Sequence, residues 1–368
     1  MRTAMDVLKD HYGSDIVDRM QAAYMERDDW NTRNLVKPPE EWTKVKFPYE
    51  APSHPPLPSL DEIDEALDKN CLNRRDPYTH HQTVCRVRNF VVKRGLPNEA
   101  LGEAENLLYL EQFPQVNSPK VYAVHFAPIS RYGYAPNGDG KDRFTYIIME
   151  DIKGEPFEWE DWVQLPEDLR KLHTTRLGEQ LKALRSIPSE GYYGRINNQP
   201  WYPNFPIGRT RGKTFTGPYT SYEALVDAIY ISVELYCARN TGWATWPVWP
   251  ASFLTAMPQL KGVLLRTPAS KPVLTQLRFD LRNFVTRPVR NDEGKIVDYV
   301  ITFVDLLDLA WCPAFMQRMC CIKQVRPVEP SDEEEAWWKM LEPYICEEDD
   351  SEVTLFLEEH FSNKFCIG

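Results

Sequence analysis

Apolar and polar positions change period along the chain, and the changes mark three stretches. The first thirty or so residues set apolar side chains at helical spacing among charges, which predicts one amphipathic helix. From Lys37 to Pro58 proline is frequent, removing amide donors and favouring extended chain. Residues 1–59 therefore read as a helical and proline-rich arm, with Trp42, Phe47 and Tyr49 available to bury against the body. From about Leu60 to Val124 come a short helix, an alternating stretch TVCRVRNFVVKRG, a helix over LGEAENLLYLEQF and an extended PKVYAV. RYGYAPNGDGKDRF has the residues of a hairpin turn, and the apolar strand TYIIMEDI follows it. Residues 60–152 thus predict a small sheet-rich lobe around one helix.

Beyond Lys153 the period becomes helical. LPEDLRKLHTTRLGEQLKALRSIP places Leu169, Leu172, Leu177, Leu181 and Leu184 on one apolar face. Further helices are predicted at Tyr222 to Arg239 and Ala251 to Leu265, and Ser331 with Glu334 makes a capping box ahead of Trp337 and Trp338. One insert is not helical: two extended segments, KPVLTQLRFDLRNFVTRP and GKIVDYVITFVDLLDLAW, joined by a turn around Asp292 to Gly294. Residues 153–368 read as a helical lobe interrupted by a hairpin.

Composition narrows the classes without naming a function. The chain is 42% hydrophobic and 26% charged, and no apolar run is long enough to cross a bilayer. A net charge of -11 argues against nucleic acid or an anionic membrane as partner. The amino terminus lacks the unbroken apolar core of a signal peptide, so a cytoplasmic location is expected. Eight cysteines are scattered with no CxxC pair and read as reduced thiols.

A sheet lobe, a hinge strand and a helical lobe broken by a hairpin is the order of parts in kinase-like phosphotransferases. VVKRG, GEAENLLYL, PKVYAV, YIIMEDIKGEP, LRSIPSEGYYGRI and GPYTSYEAL, in that order, resemble successive blocks of the fungal branch of the aminoglycoside-phosphotransferase-like kinases, over about residues 85–325. The resemblance implies an α+β, bilobal protein-kinase-like fold, with a small antiparallel-sheet N-lobe and a larger, mainly helical C-lobe. It implies that Lys93 binds nucleotide phosphates and is oriented by Glu103, with Glu105 as the second choice. It places adenine contacts on the backbone of Glu150 and Ile152, and magnesium on Asn283 and Asp305.

The same resemblance exposes departures. No glycine lies between Pro77 and Val87, where the family has its phosphate loop; His80 and His81 stand there instead. In LTQLRFDLRNFV, which is similar to the catalytic loop, Gln276 takes the place of the histidine and Arg278 that of the catalytic aspartate. A positioned base contributes roughly 10²–10⁴-fold, and arginine cannot accept a proton. Asp280 is the nearby carboxylate to weigh as a substitute, and Leu307 replaces a second acidic residue of the metal block. ATP and magnesium remain the implied cofactors, weakened at the phosphate loop and at Leu307. Three functions follow as expectations: a nonclassical small-molecule phosphotransferase, a pseudokinase-type binding protein, or a secondary-metabolism enzyme of another class reusing the interlobe cleft. The ligand is a small molecule in that cleft, and the arm is a candidate surface for a protein partner.

Overall fold

Helix α1 (Ala4–Tyr12) starts where Thr3 and Asp6 cap one another and ends at Gly13, whose φ of 114° no L side chain adopts readily. In this computed structural model the residues described are 3–15, 20–22, 24–25, 43–69, 71–72, 82–95, 97–128, 143–201, 217–240, 251–325, 331–346 and 350–361. The single thirty-residue helix expected at the amino terminus is therefore interrupted at Gly13, whose N–H bonds back to the Lys9 carbonyl at 2.9 Å. His80 and His81, the turn of RYGYAPNGDGKDRF, Trp42, WYPNFPIG after Trp201, and 241–250 lie outside the described residues.

The chain forms two compact units. The first in sequence to be built as a sheet comprises Lys37–Gln180 and Leu281–Asp308. Its strands β1 (Tyr49–Glu50), β2 (Gln82–Val87), β3 (Phe90–Gly95), β4 (Val121–Pro128) and β5 (Arg143–Glu150) pair antiparallel in the order β1-β4-β5-β3-β2. TVCRVRNFVVKRG, which reads as unbroken alternation, is in fact a hairpin turning at Arg88, which takes a φ of 54° without glycine. Helix α2 (Leu60–Lys69) buries Ile63, Ala66 and Leu67 against Cys85, Val87, Phe90 and Val92 on one face. Helix α3 (Pro97–Leu110) opens at a proline, whose missing N–H costs a first helical turn nothing. It packs on β3, β4 and β5, burying Ala100, Leu101, Ala104 and Leu107.

The same unit continues through β6 (Glu155–Pro156) and helices α4 (Trp159–Gln164) and α5 (Glu167–Arg185), the last running on past Gln180 into the second unit. Of the leucine face expected on α5, Leu177, Leu181 and Leu184 are buried. In its first half the buried positions are His173 and Thr174, while Leu169 and Leu172 are half-exposed. The reason is a set of partners for polar groups: Trp162 Nε1 donates to Thr174 Oγ1 at 3.0 Å, and the His173 ring stacks on Phe157 at 3.9 Å.

The second unit comprises Met1–Val36, Leu181–Asp280 and Leu309–Gly368. It holds β7 (Gly194–Arg195), helices α6 (Tyr222–Asn240) and α7 (Ala251–Arg266), β8 (Pro272–Gln276), and, after the segment that belongs to the sheet unit, β11 (Leu309–Pro313) and helices α8 (Met316–Val325), α9 (Asp332–Ile345) and α10 (Ser351–Phe361). Strands order as β7-β11-β8, and α1 packs on α6. The Ser331/Glu334 capping box forms ahead of α9. The intervening β9 (Phe284–Arg290) and β10 (Ile296–Phe303) make an antiparallel hairpin in the sheet unit, turning at Gly294 with φ 79°. The extended insert is thus four strands and not two segments: β8 pairs with β11, β9 with β10, and a 3-10 turn (Leu281–Asn283) separates β8 from β9.

The α+β class with an antiparallel-sheet unit and a mainly helical unit is what the chain adopts. The units group the chain differently from the expected lobes: 1–36 go with the helical unit, while 37–59, 153–180 and 281–308 go with the sheet unit.

Candidate functional site

Three polar residues on α3 organise the site within the sheet unit. A helix this buried should be apolar throughout, yet Glu103, Glu105 and Asn106 are each at most 1% exposed. Burying a polar side chain is costly unless it is hydrogen-bonded or paired, and each has found its partner. Glu103 contacts the Lys93 ammonium and accepts from the Leu306 N–H. Glu105 Oε1 accepts from the N–H groups of Lys44 and Val45 at 2.7 and 3.1 Å. Asn106 Nδ2 donates to the carbonyls of Leu306 and Leu307 at 2.7 and 3.0 Å. Of the two glutamates, Glu103 is the one paired with Lys93, and Glu105 pins the start of the chain's sheet unit.

Lys93 has a second carboxylate. Its Nζ donates to Asp305 Oδ1 at 2.5 Å, and its side chain is 7% exposed against 30% for Asp305. Burial weighs against the ammonium, but Glu103 and Asp305 outweigh it and raise the lysine above its ordinary range, so it stays charged. Burial and the Asp305 charge push the Glu103 carboxyl up, opposed by Lys93 and the Leu306 N–H. Asp305 sits just after β10 with φ 56°, the left-handed region that non-glycine residues occupy at a cost. The strain is held from both sides: Val304 N–H donates to Asn283 O at 2.8 Å, and Asn106 grips the two carbonyls beyond. One step earlier, the N–H of Phe303 bonds to Asn117 O at 2.9 Å.

Asn283 ends the 3-10 turn and is 7% exposed; through the Phe284↔Phe303 register its strand pairs with the one that delivers Asp305. An amide oxygen and a carboxylate are hard oxygen donors of the kind magnesium takes. Among the described residues no group of three or more His, Cys, Asp or Glu side chains is placed to hold a metal.

At the end of β5, the Glu150 N–H is taken by Lys120 O at 2.9 Å. Ile152 is half-buried outside the strand, and its peptide groups bond to no other described residue. Between them Asp151 is held by Arg86 at 3.0 Å and Lys153 at 2.7 Å. Burial opposes the Asp151 charge, but the Lys153 and Arg86 hydrogen bonds hold its carboxyl below the usual range. Sequence reading passed over Asp151, Asn106 and Asn117; for Asn106 the signal was a short amide side chain inside a helix of high apolar content.

Gln276, Arg278 and Asp280 belong to the helical unit. Gln276 closes β8 opposite Leu309, and Gln317 bonds both its N–H and its carbonyl at 3.2 Å. Its side chain is 1% exposed, and neither amide atom has a partner among the described residues. Arg278 is exposed between the buried Leu277 and Phe279, and Asp280 is half-buried. Phe279 anchors this loop on Trp337 of α9, with ring centroids 6.1 Å apart.

No family model matches the chain, and no curated protein does. Solved structures that resemble it include a GDP and kanamycin complex of APH(2")-IIia, at 12% identity and a TM-score of 0.48, covering 83% of this chain and 88% of that one. A thermostable mutant of aminoglycoside phosphotransferase APH(4)-Ia is 14% identical with a TM-score of 0.49, covering 80% and 86%. ADP-bound aminoglycoside phosphotransferase APH(2'')-Ib is 17% identical with a TM-score of 0.43, covering 80% and 84%. No helix among the described residues is long and apolar enough to cross a membrane.

Proposed function

We propose that this chain is a kinase-like protein that binds ATP with magnesium and acts as a nonclassical phosphotransferase on a small molecule. The observation that carries the reading is Lys93, buried between Glu103 and Asp305. Two carboxylates around one ammonium leave negative charge in excess. A divalent cation at Asp305 and Asn283 offsets that excess, and the third Lys93 N–H is left to donate to a phosphate oxygen. The Ile152 N–H and Glu150 carbonyl supply backbone contacts to a purine edge. Magnesium held by Asp305 and Asn283 would supply charge neutralisation in this chemistry.

Phosphoryl transfer depends mainly on positioning and charge neutralisation, so the absence of a base at Arg278 slows it without forbidding it. Arg278 cannot take a proton, and its role is to hold an anionic group of the acceptor. Asp280 and the side-chain amide of Gln276, which has no partner among the described residues, are the polar groups beside it in sequence.

A second reading, a pseudokinase-type protein that binds nucleotide without turning it over, is favoured by the cation at position 278 together with Leu307. One series of measurements separates the two. ATP with magnesium at about one hundred times its dissociation constant should stabilise the protein by about 2.7 kcal/mol in thermal unfolding. That gain should shrink in Lys93→Met and Asp305→Asn. Release of ADP by the wild type supports transfer, while binding without release supports the second reading. No stabilisation at millimolar ATP overturns both.

A further inference from the structure

Cys71 and Cys85 lie directly opposite one another on neighbouring antiparallel segments. The Leu72 N–H bonds to Val84 O at 2.8 Å, which makes Cys71 and Cys85 the pair enclosed between ladder hydrogen bonds, not one joined by them. In such a pair the Cα atoms are about 4.5 Å apart and both side chains leave the same face. That separation falls inside the range of roughly 4.4–6.8 Å spanned by disulfides. Both residues are thiols here. Cys71 is half-exposed, while Cys85 is fully buried in the core beneath α2. Of the other described cysteines, Cys237, Cys312, Cys320 and Cys321 are buried and Cys346 is half-exposed, and no two of them face one another across a β-bridge among the described residues.

We propose that Cys71 and Cys85 are a redox modification site, closing reversibly to a cross-strand disulfide by exchange with a low-molecular-weight disulfide such as oxidised glutathione. The exposed Cys71 thiolate attacks one sulfur of the oxidant, forming a mixed disulfide and expelling the first thiolate. The Cys85 thiolate then attacks the Cys71 sulfur and expels the second. Two protein thiols are oxidised, one small disulfide is reduced to two thiols, and the two thiol protons pass to the leaving thiolates. Burial pushes the Cys85 thiol up to about 11, so the second step is slow at neutral pH and accelerates as pH rises. The ring closed by the bond includes 77–81, where the nucleotide reading puts the phosphate loop; any effect on ATP binding rests on that reading, but the bond itself does not.

The test uses the full chain. After excess oxidised glutathione and acid quench, thiol titration under denaturing conditions should fall by two from the eight present. A tryptic digest without reductant should show NCLNR joined to DPYTHHQTVCR, a species abolished by dithiothreitol and absent from Cys71→Ser. Cys85→Ala should leave Cys71 carrying glutathione, which shows the order of the two steps even if that variant is less stable. Cys71 remaining a thiol, or wild type halting at the Cys71 glutathione adduct, would overturn the proposal. If the cross-link forms while ATP stabilisation is absent in both redox states, the disulfide stands and the nucleotide reading falls.

Discussion

An ammonium held between two carboxylates out of water dictates what its own removal does. In Lys93→Met the Glu103 carboxyl loses the cation that opposes its burial, and burial drives it further above its ordinary 4.5. A carboxyl whose folded-state pKa exceeds its unfolded value stabilises the fold fully below the unfolded pKa and loses that contribution as pH rises through the folded one. Lys93→Met should therefore be most stable near pH 4 and weaken toward pH 8, by up to the 3–5 kcal/mol typical of a broken buried pair. Adding Glu103→Gln should flatten that slope in urea titrations; a single variant with no slope would show that Glu103 does not depend on Lys93 for its charge. His173 works in the opposite sense. Burial lowers its imidazole to about 3 from 6.5, so the fold is favoured above pH 6.5 and loses stability as pH falls below it. The loss is at most about 1.4 kcal/mol per pH unit, and His173→Phe, which keeps the stack on Phe157, should remove it. At this scale the sequence was informative about Lys93 and Glu103 and silent about His173, because a histidine at a helical apolar position has no mark that tells burial from exposure.

Helix α3 is the element on which the site is built. Its Glu103, Glu105 and Asn106 face β3, the 44–45 segment and the chain after Asp305 in turn. Asn106 touches neither Lys93 nor Asp305 by any hydrogen bond of its amide, so it is a positioning residue acting through the Leu306 and Leu307 carbonyls. Asn106→Ala should cost about 1–3 kcal/mol, because two buried carbonyls lose their donor. It should also speed amide hydrogen exchange at 304–308 and reduce the ATP stabilisation, while Phe303, whose N–H donates to Asn117 O at 2.9 Å, keeps its protection. Unchanged exchange at 304–308 would reduce Asn106 to packing alone. Elements were legible where period and length agreed, as in α6, α7 and the β9–β10 hairpin. They failed at turns without the usual residues: Arg88 bends the β2–β3 hairpin in a left-handed conformation that alternation cannot reveal, and Gly13 ends α1 inside a stretch whose apolar spacing continues.

Across the whole molecule, the residues matched to the kinase-like site divide by unit at the step from Asp280 to Leu281. Lys93, Glu103, Asn283 and Asp305 come from one unit, Gln276, Arg278 and Asp280 from the other. LTQLRFDLRNFV reads in sequence as a single loop, so this division was hidden; tertiary grouping depends on pairings such as β8 with β11 and β9 with β10, which no local period encodes. The division makes the base and the phosphate end separable by experiment. Arg278→Asp exchanges an exposed side chain, and its unfolding in the absence of ligand is the baseline for the comparison. Its ATP stabilisation should match the wild type, because the residues assigned to phosphate and magnesium are unaltered. ADP release is then the informative readout. A rise in Arg278→Asp means that Lys93, Asn283 and Asp305 form a competent site that lacked only its carboxylate, whereas a fall from measurable wild-type turnover makes Arg278 a working cation in transfer. Equal, measurable ADP release by both proteins would leave Arg278 outside the chemistry, and no release by either, with ATP bound in each, would make the protein a nucleotide binder.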